Sequence, residues 1–332
     1  VYKQVERLIT EGRVLSLATP GYGCLAESLF KMCVGNRIGL SLIPGVEQEL
    51  FRPAYGSFVL ELGEGASAGE LLGETTVDYT FKAGKEELSL AQLQEAWEVK
   101  LEPVMPYRAK GEEVESIRYT QGKRTGAAVR LAKPRVIIPV FPGTNCEYDS
   151  AHAFERAGAD VKVLVINNLS PAAVAESCQA LCDEIKNSQI VMLPGGFSGG
   201  DEPDGSAKFI TAFFRAPAVT EAVRDLLQHR DGLMLGICNG FQALVKLGLV
   251  PYGDIRDMDE TCPTLTFNTI GRHQSKLVRT KVCSNLSPWF SRCEVGDEYT
   301  IAISHGEGRF VASPQLLEEL KAKGQIASQY VD

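Results

Sequence analysis

From Arg135 onward the chain alternates between continuous apolar runs and amphipathic ones, and few folds satisfy that pattern. RVIIPVF reads as a strand buried on both faces, CEYDSAHAFERAGA as a helix, and VKVLVINN as a strand. PAAVAESCQALCDEIK is again helical, QIVMLPGG a strand, PAVTEAVRDLLQHR a helix, GLMLGIC a buried strand and NGFQALVKLG a helix. Continuous apolar strands separated by helices predict a parallel sheet covered on both faces, an α/β architecture. Such sheets bind ligands beyond the carboxyl ends of their strands. That rule directs attention to three loops: FPGTNCE, LPGGFSGGDEPDG and GICNG.

The remainder of the chain has another texture. Residues 1–106 mix helical patterns (GCLAESLFKMCVGN, LSLAQLQEAWEVKL) with short strand-like runs (RIGLSLI, YGSFVLEL, TTVDYTF), an α+β reading. Residues 107–134 are polar and end at Lys133-Pro134, as a linker would. Lys123, Arg124, Arg130, Lys133 and Arg135 in or beside it read as solvated charges, with a phosphate contact as the alternative. Residues 135–332 form the second domain. A net charge of −8 over 332 residues argues against nucleic acid as a partner. No apolar stretch approaches the roughly 20 residues that span a bilayer, so no membrane is expected. Nine cysteines without framework spacing point to reduced thiols in a cytoplasmic protein. Cys178 and Cys182 have the spacing to share a metal. No second ligand pair accompanies them, so packing is the expected role and no metal site is assigned.

GICNG has the form of a nucleophile elbow with cysteine in place of serine. Gly236 and Gly240 would relieve clashes in the tight turn, lifting Cys238 clear of the sheet with a helix beginning directly after it. The amides and dipole at that helix start favour the thiolate, the reactive form. The backbone N–H of Asn239 would point toward an oxyanion formed on the carbonyl that Cys238 attacks. The alternative is a buried cysteine at a strand end, which is how Cys146 reads. The glycine-rich LPGGFSGGDEPDG matches neither common phosphate loop. Gly195 and Gly196 suit a second oxyanion donor, where a Cβ would obstruct a backbone amide, or else a purely structural turn. A thiol site also needs a base. His305 and Glu307 in TIAISHGEGRF, two apart on an expected strand and so on one face, are the pair that spacing nominates.

PGTNCE, LPGGFSGGDEPDG, GICNGFQ, TLTFNTIGR and SHGEGRF stand in the order found in the glutamine amidotransferase domain of phosphoribosylformylglycinamidine synthases, and residues 135–332 resemble that family. GCLAESLFKMCVGNRIGLSL, LFRPAYGSFVLEL and WEVKLEPVMP resemble the end of the same enzyme's synthetase part, in the single-chain arrangement. The resemblance implies a class I glutamine amidotransferase, a flavodoxin-like parallel sheet with helices on both faces, preceded by a smaller α+β domain. It implies that Cys238 attacks glutamine and forms a glutamyl thioester. Asn239 and the Gly196 loop would line the oxyanion site, and Gln242 would help hold the substrate. The released ammonia would serve ATP- and Mg2+-dependent amidation of formylglycinamide ribonucleotide in purine synthesis, with most ATP-binding residues outside this chain.

The family's catalytic histidine and glutamate lie in a His-Pro-Glu motif near its C-terminus, and no such triplet occurs here. By motif, His305 and Glu307 are therefore expected to be supporting residues. The chain reads as an internal fragment of a larger enzyme that hydrolyses glutamine poorly by itself. Two other readings remain: a stand-alone cysteine hydrolase on the same sheet, and a non-catalytic interaction module.

Overall fold

The computed structural model describes residues 1–106, 114–122, 126–127, 130–200 and 206–331. Lys123, Arg124 and the Asp201–Gly205 end of the glycine-rich loop fall outside them. The chain divides into two compact units, Val1–Ala109 and Lys110–Asp332.

The first unit contains α1 (Tyr2–Thr10), β1 (Val14–Ala18), α2 (Cys24–Asn36), β2 (Gly39–Leu42), β3 (Val59–Leu62), β4 (Gly73–Thr76), β5 (Thr80–Ala83), β6 (Glu86–Ser89) and α3 (Leu90–Glu98). Its four-stranded sheet has the order β4-β2-β5-β6, while β1 and β3 pair separately. Leu25, Leu29 and Cys33 recur along one side of α2 and meet Leu40, Leu42, Phe81 and Leu90 in a single core. TTVDYTF, expected as one strand, is instead split between β4 and β5 by a turn at residues 77–79. β4 runs antiparallel to β2 and β5 parallel to it, so one extended run could not serve both.

The second unit is built on β7 (Arg135–Val140), followed by the short β8 (Thr144–Asn145), α4 (Glu147–Arg156), β9 (Asp160–Val165), α5 (Pro171–Asn187), β10 (Ile190–Leu193), the short β11 (Gly195–Gly196), α6 (Lys208–Phe214), α7 (Pro217–Arg224), β12 (Leu233–Gly236), α8 (Asn239–Leu247) and α9 (Leu249–Tyr252). The four main strands form one parallel sheet ordered β12-β10-β7-β9. In order of appearance this is 2-1-3-4, the flavodoxin-like winding, and its direction reverses between β7 and β10. The α/β class read from the sequence is the one the chain adopts.

Side chains alternate across the sheet with period two. Ile137, Val191 and Leu193 face α5, α6, α7 and α8, where Leu181, Phe213, Phe214, Val223 and Leu247 close the larger core. Val136, Ile138 and Met192 face the other way, toward Ala151 of α4. Helix starts follow local chemistry: Ser170 Oγ accepts the Ala173 amide at 3.1 Å with Pro171 at the first helical position. GLMLGIC departs from expectation in one respect. β12 is a sheet-edge strand and is only half-buried along its length.

An antiparallel region follows, with β13 (Thr264–Thr266), β14 (Gln274–Val282), β15 (Glu298–His305), β16 (Arg309–Val311), α10 (Pro314–Ala322) and β17 (Ser328–Val331). β14 lies between β15 and β17, and β13 pairs with β16. No helix among the described residues is long and apolar enough to cross a membrane.

Candidate active site

The winding reversal leaves the loops after β7 and β10 side by side, and backbone hydrogen bonds join them. Phe197 N donates to Gly143 O and Gly199 N to Pro142 O, both at 2.7 Å, while β8 and β11 pair through Gly195–Asn145 and Gly196–Thr144. Gly196, at φ 103°, has no room for a Cβ, which would lie 2.6 Å from Gly143 O and 2.7 Å from Asn145 N. Its glycine character serves this loop-to-loop seam.

Cys238 sits one loop away, between β12 and α8, and is exposed. Its backbone is at φ 53°, ψ −111°, where a side chain is strained, and it caps the N-terminus of α8. The flanking glycines are required by space. A Cβ on Gly236 would lie 2.5 Å from Gly240 O, and one on Gly240 would lie 2.6 Å from the carbonyl carbon of Leu193. Gly195 lies beneath the thiol, since a Cβ there would lie 3.9 Å from Cys238 Sγ. A strained, exposed cysteine between a strand end and a helix start is the geometry of a nucleophile elbow.

The other residues singled out in the sequence converge here. Asn239 Oδ1 accepts the Ser198 amide at 3.3 Å, tying the start of α8 to the glycine-rich loop. Asn239 Nδ2 donates to Gln242 Oε1 at 3.2 Å, and Gln242 Nε2 donates to Glu307 O at 3.0 Å. Both side chains are buried. Thus Gly196, Cys238, Asn239 and Gln242 belong to one connected cluster, with Gln242 also holding the Gly306–Gly308 turn.

His305 and Glu307 are not arranged as their spacing suggested. β15 ends at His305 and the chain bends through Gly306 and Glu307, so the two do not share a strand face. The His305 ring is taken up by Asn268: Nδ1 lies 2.9 Å from Asn268 Oδ1. Cys146 also differs from expectation. It is exposed and left-handed (φ 69°) at the N-terminus of α4, where the seam with β11 turns the chain outward. Cys178 and Cys182 pack with the larger core, and burial pushes the Cys182 thiol up to about 11.

Burial, reinforced by the neighbouring His273, lowers the His305 imidazole from its usual 6.5. As pH falls through about 6.5 the unfolded chain takes up this proton before the folded one does. Stability should therefore decline below that pH and level off once the folded ring also protonates. Denaturant midpoints compared at about pH 7.5 and 5.5 should fall further in the wild type than in His305→Gln. Equal falls would exclude a buried neutral ring.

Residues 133–332 match the CobB/CobQ-like glutamine amidotransferase domain. The chain belongs to this family. Its amidotransferase domain is 34% identical over 198 residues to the phosphoribosylformylglycinamidine synthase subunit PurQ of Rubrobacter xylanophilus, covering 60% of this chain and 76% of that protein. The same subunit of Dehalococcoides mccartyi is 33% identical over 197 residues, covering 58% and 69%. Among solved structures, PurLQS from Thermotoga maritima is similar, with 26% identity, 60% and 76% coverage and a TM-score of 0.44.

TLTFNTIGR contributes a residue to the site that no local pattern marks. Asn268 lies there, buried and bonded to the His305 turn. A lone polar residue in a polar loop carries no periodic signal, and only the order of the motifs hinted at it.

Proposed function

We propose that residues 135–332 are the glutaminase portion of a phosphoribosylformylglycinamidine synthase, and that residues 1–106 are the end of its synthetase part on the same chain. The observation that carries the first half is the backbone of Cys238, held at φ 53° and exposed at the start of α8. Strain of this kind costs about 1–3 kcal/mol and is kept where function uses it.

In this reading the Cys238 thiolate adds to the side-chain carbonyl carbon of glutamine. Amides at Asn239 and the Gly196 loop receive the negative charge that develops on oxygen. The C–N bond then breaks, the nitrogen gains a proton and leaves as ammonia, and a γ-glutamyl thioester remains. Water adds to the thioester, the C–S bond breaks, and glutamate departs with the thiol regenerated. Gln242 orients the substrate. Ammonia passes to the synthetase reaction, which converts formylglycinamide ribonucleotide to its amidine with ATP and Mg2+ in the cytoplasm. Among the described residues no group of three or more His, Cys, Asp or Glu side chains is placed to hold a metal ion. ATP and Mg2+ belong, in this reading, to the synthetase reaction.

A glutamine-analogue electrophile tests this directly, because it needs the nucleophile and the glutamine pocket but not complete turnover. 6-Diazo-5-oxo-L-norleucine should attach to Cys238 alone, and glutamine should protect against it. Iodoacetamide, which asks only for access, should modify both exposed thiols, Cys146 and Cys238. Analogue labelling spread equally over the two thiols, or indifferent to glutamine, would defeat the assignment.

A further inference from the structure

The turn that follows β15 is gripped from one side by Asn268. This residue is buried and bonds the turn through several atoms. Its Nδ2 donates to His305 O at 2.8 Å and to Arg272 O at 3.0 Å. Its Oδ1 faces His305 Nδ1 at 2.9 Å and accepts the Gly308 amide at 3.4 Å, while its own backbone N–H donates to Gly306 O at 2.8 Å. Because the amide nitrogen already serves two carbonyls, Oδ1 can only accept, and the neutral His305 ring must carry its proton on Nδ1. His305 Nε2 is then a buried lone pair with no hydrogen-bond partner among the described residues. Gly308 completes the fit, since a Cβ there would strike the imidazole.

The clasped turn has one visible task. It presents Glu307 O to Gln242 Nε2, and Gln242 in turn meets Asn239, which holds the Ser198 amide. The hydrogen bonds thus run without a break from Asn268 through the turn to the start of α8 and the glycine-rich loop. An unclasped turn could move Glu307 O away, and Gln242 would lose the acceptor that sets its rotamer.

We propose that Asn268 is a positioning residue for glutamine binding, fixing the His305 tautomer and the Gly306–Gly308 turn so that Gln242 is held in its binding orientation beside Cys238. This rests on the amidotransferase reading above, in which Gln242 contacts the substrate. In this arrangement Asn268 acts through Gln242, so it should govern how tightly a glutamine-shaped ligand binds and not how reactive the sulfur is.

The test uses the 332-residue chain and the saturable labelling of Cys238 by 6-diazo-5-oxo-L-norleucine. In Asn268→Ala the half-saturating concentration should rise about tenfold, the size expected when a buried hydrogen-bond network loses its partner. The limiting labelling rate should change less than about twofold, and iodoacetamide should modify Cys238 at the wild-type rate. Asn268→Asp keeps the acceptor for His305 and Gly308 but sets a carboxylate oxygen against the carbonyls of His305 and Arg272, so its half-saturating concentration should rise at least as far as in Asn268→Ala. Nitrogen NMR of His305 should report the Nδ1–H tautomer in the wild type and in Asn268→Asp, and a mixture in Asn268→Ala. Should Asn268→Ala not fold, the Asp variant decides: a raised half-saturation with an unchanged iodoacetamide rate upholds the proposal, and wild-type half-saturation overturns it. Unchanged half-saturation in a folded Asn268→Ala overturns it, as does an equal loss of analogue and iodoacetamide reactivity. Failure of the wild type to take the analogue at all would remove the amidotransferase reading instead, a result read before any variant is made.

Discussion

Replacing Cys238 with glycine should make the protein more stable while abolishing its labelling by a glutamine analogue. The residue is held at φ 53°, ψ −111°, a conformation any side chain resists and glycine adopts readily. Relief of that strain is worth about 1–3 kcal/mol, and the extra freedom of glycine in the unfolded chain takes back about 0.5–1 kcal/mol. The net expectation is a gain of about 1 kcal/mol in chemical denaturation. The sulfur makes no capping hydrogen bond to α8, and the residue is exposed, so little favourable contact is lost. Covalent capture should meanwhile fall by at least about 10^4-fold, as when the nucleophile of an acyl-transfer site is removed. Cys238→Ser supplies the contrast: it retains the strain and should leave stability near wild type. A glycine variant less stable than the parent would show that the elbow is not strained.

Gly240→Ala should produce the largest loss of stability among single-methyl additions at the site, about 3 kcal/mol or more. The new methyl would enter the space of Leu193 O and lie 2.7 Å from the Leu193 Cβ. Leu193 cannot yield, because it is fully buried, pairs with Gly236 across the sheet, and accepts the Ile237 amide at 3.1 Å. Helix α8 would have to lift from β10, carrying Asn239 and Gln242 away from Ser198 and Glu307, so analogue labelling should weaken along with stability. The same substitution at Gly35, inside α2 with open space around it, should instead be neutral or stabilising by up to about 1 kcal/mol. Matching losses at both positions would point to a general effect of glycine replacement and not to crowding at the elbow.

The two variants probe the part of the site that was legible in the sequence. A run such as LMLG followed by a cysteine between glycines is a local statement, because strand, turn and helix start all lie within about a dozen residues. The sheet was legible for the same reason. Apolar runs like RVIIPVF and QIVML need no partner identity to be read as strands buried on both faces. The half-exposure of β12 was not, because the chain carries the same apolar run whether its strand lies at the centre or the edge. Nor was the fate of His305. Two residues at strand spacing suggest a shared face only while the strand continues, and Gly306 ends it.

What the sequence determined by itself was the parallel α/β architecture, the elbow at Cys238 and the membership of its motifs in one family. Each depends on residues close together in the chain, where periodicity and steric need leave a readable mark. Tertiary structure alone decided which polar side chains are committed and to whom. Asn268 grips a ring 37 residues away, and Gln242 meets a carbonyl 65 residues away. Hydrogen bonds at such separations depend on how β13, β15 and α8 come together, and no local pattern encodes the angle at which a buried amide finds its partner.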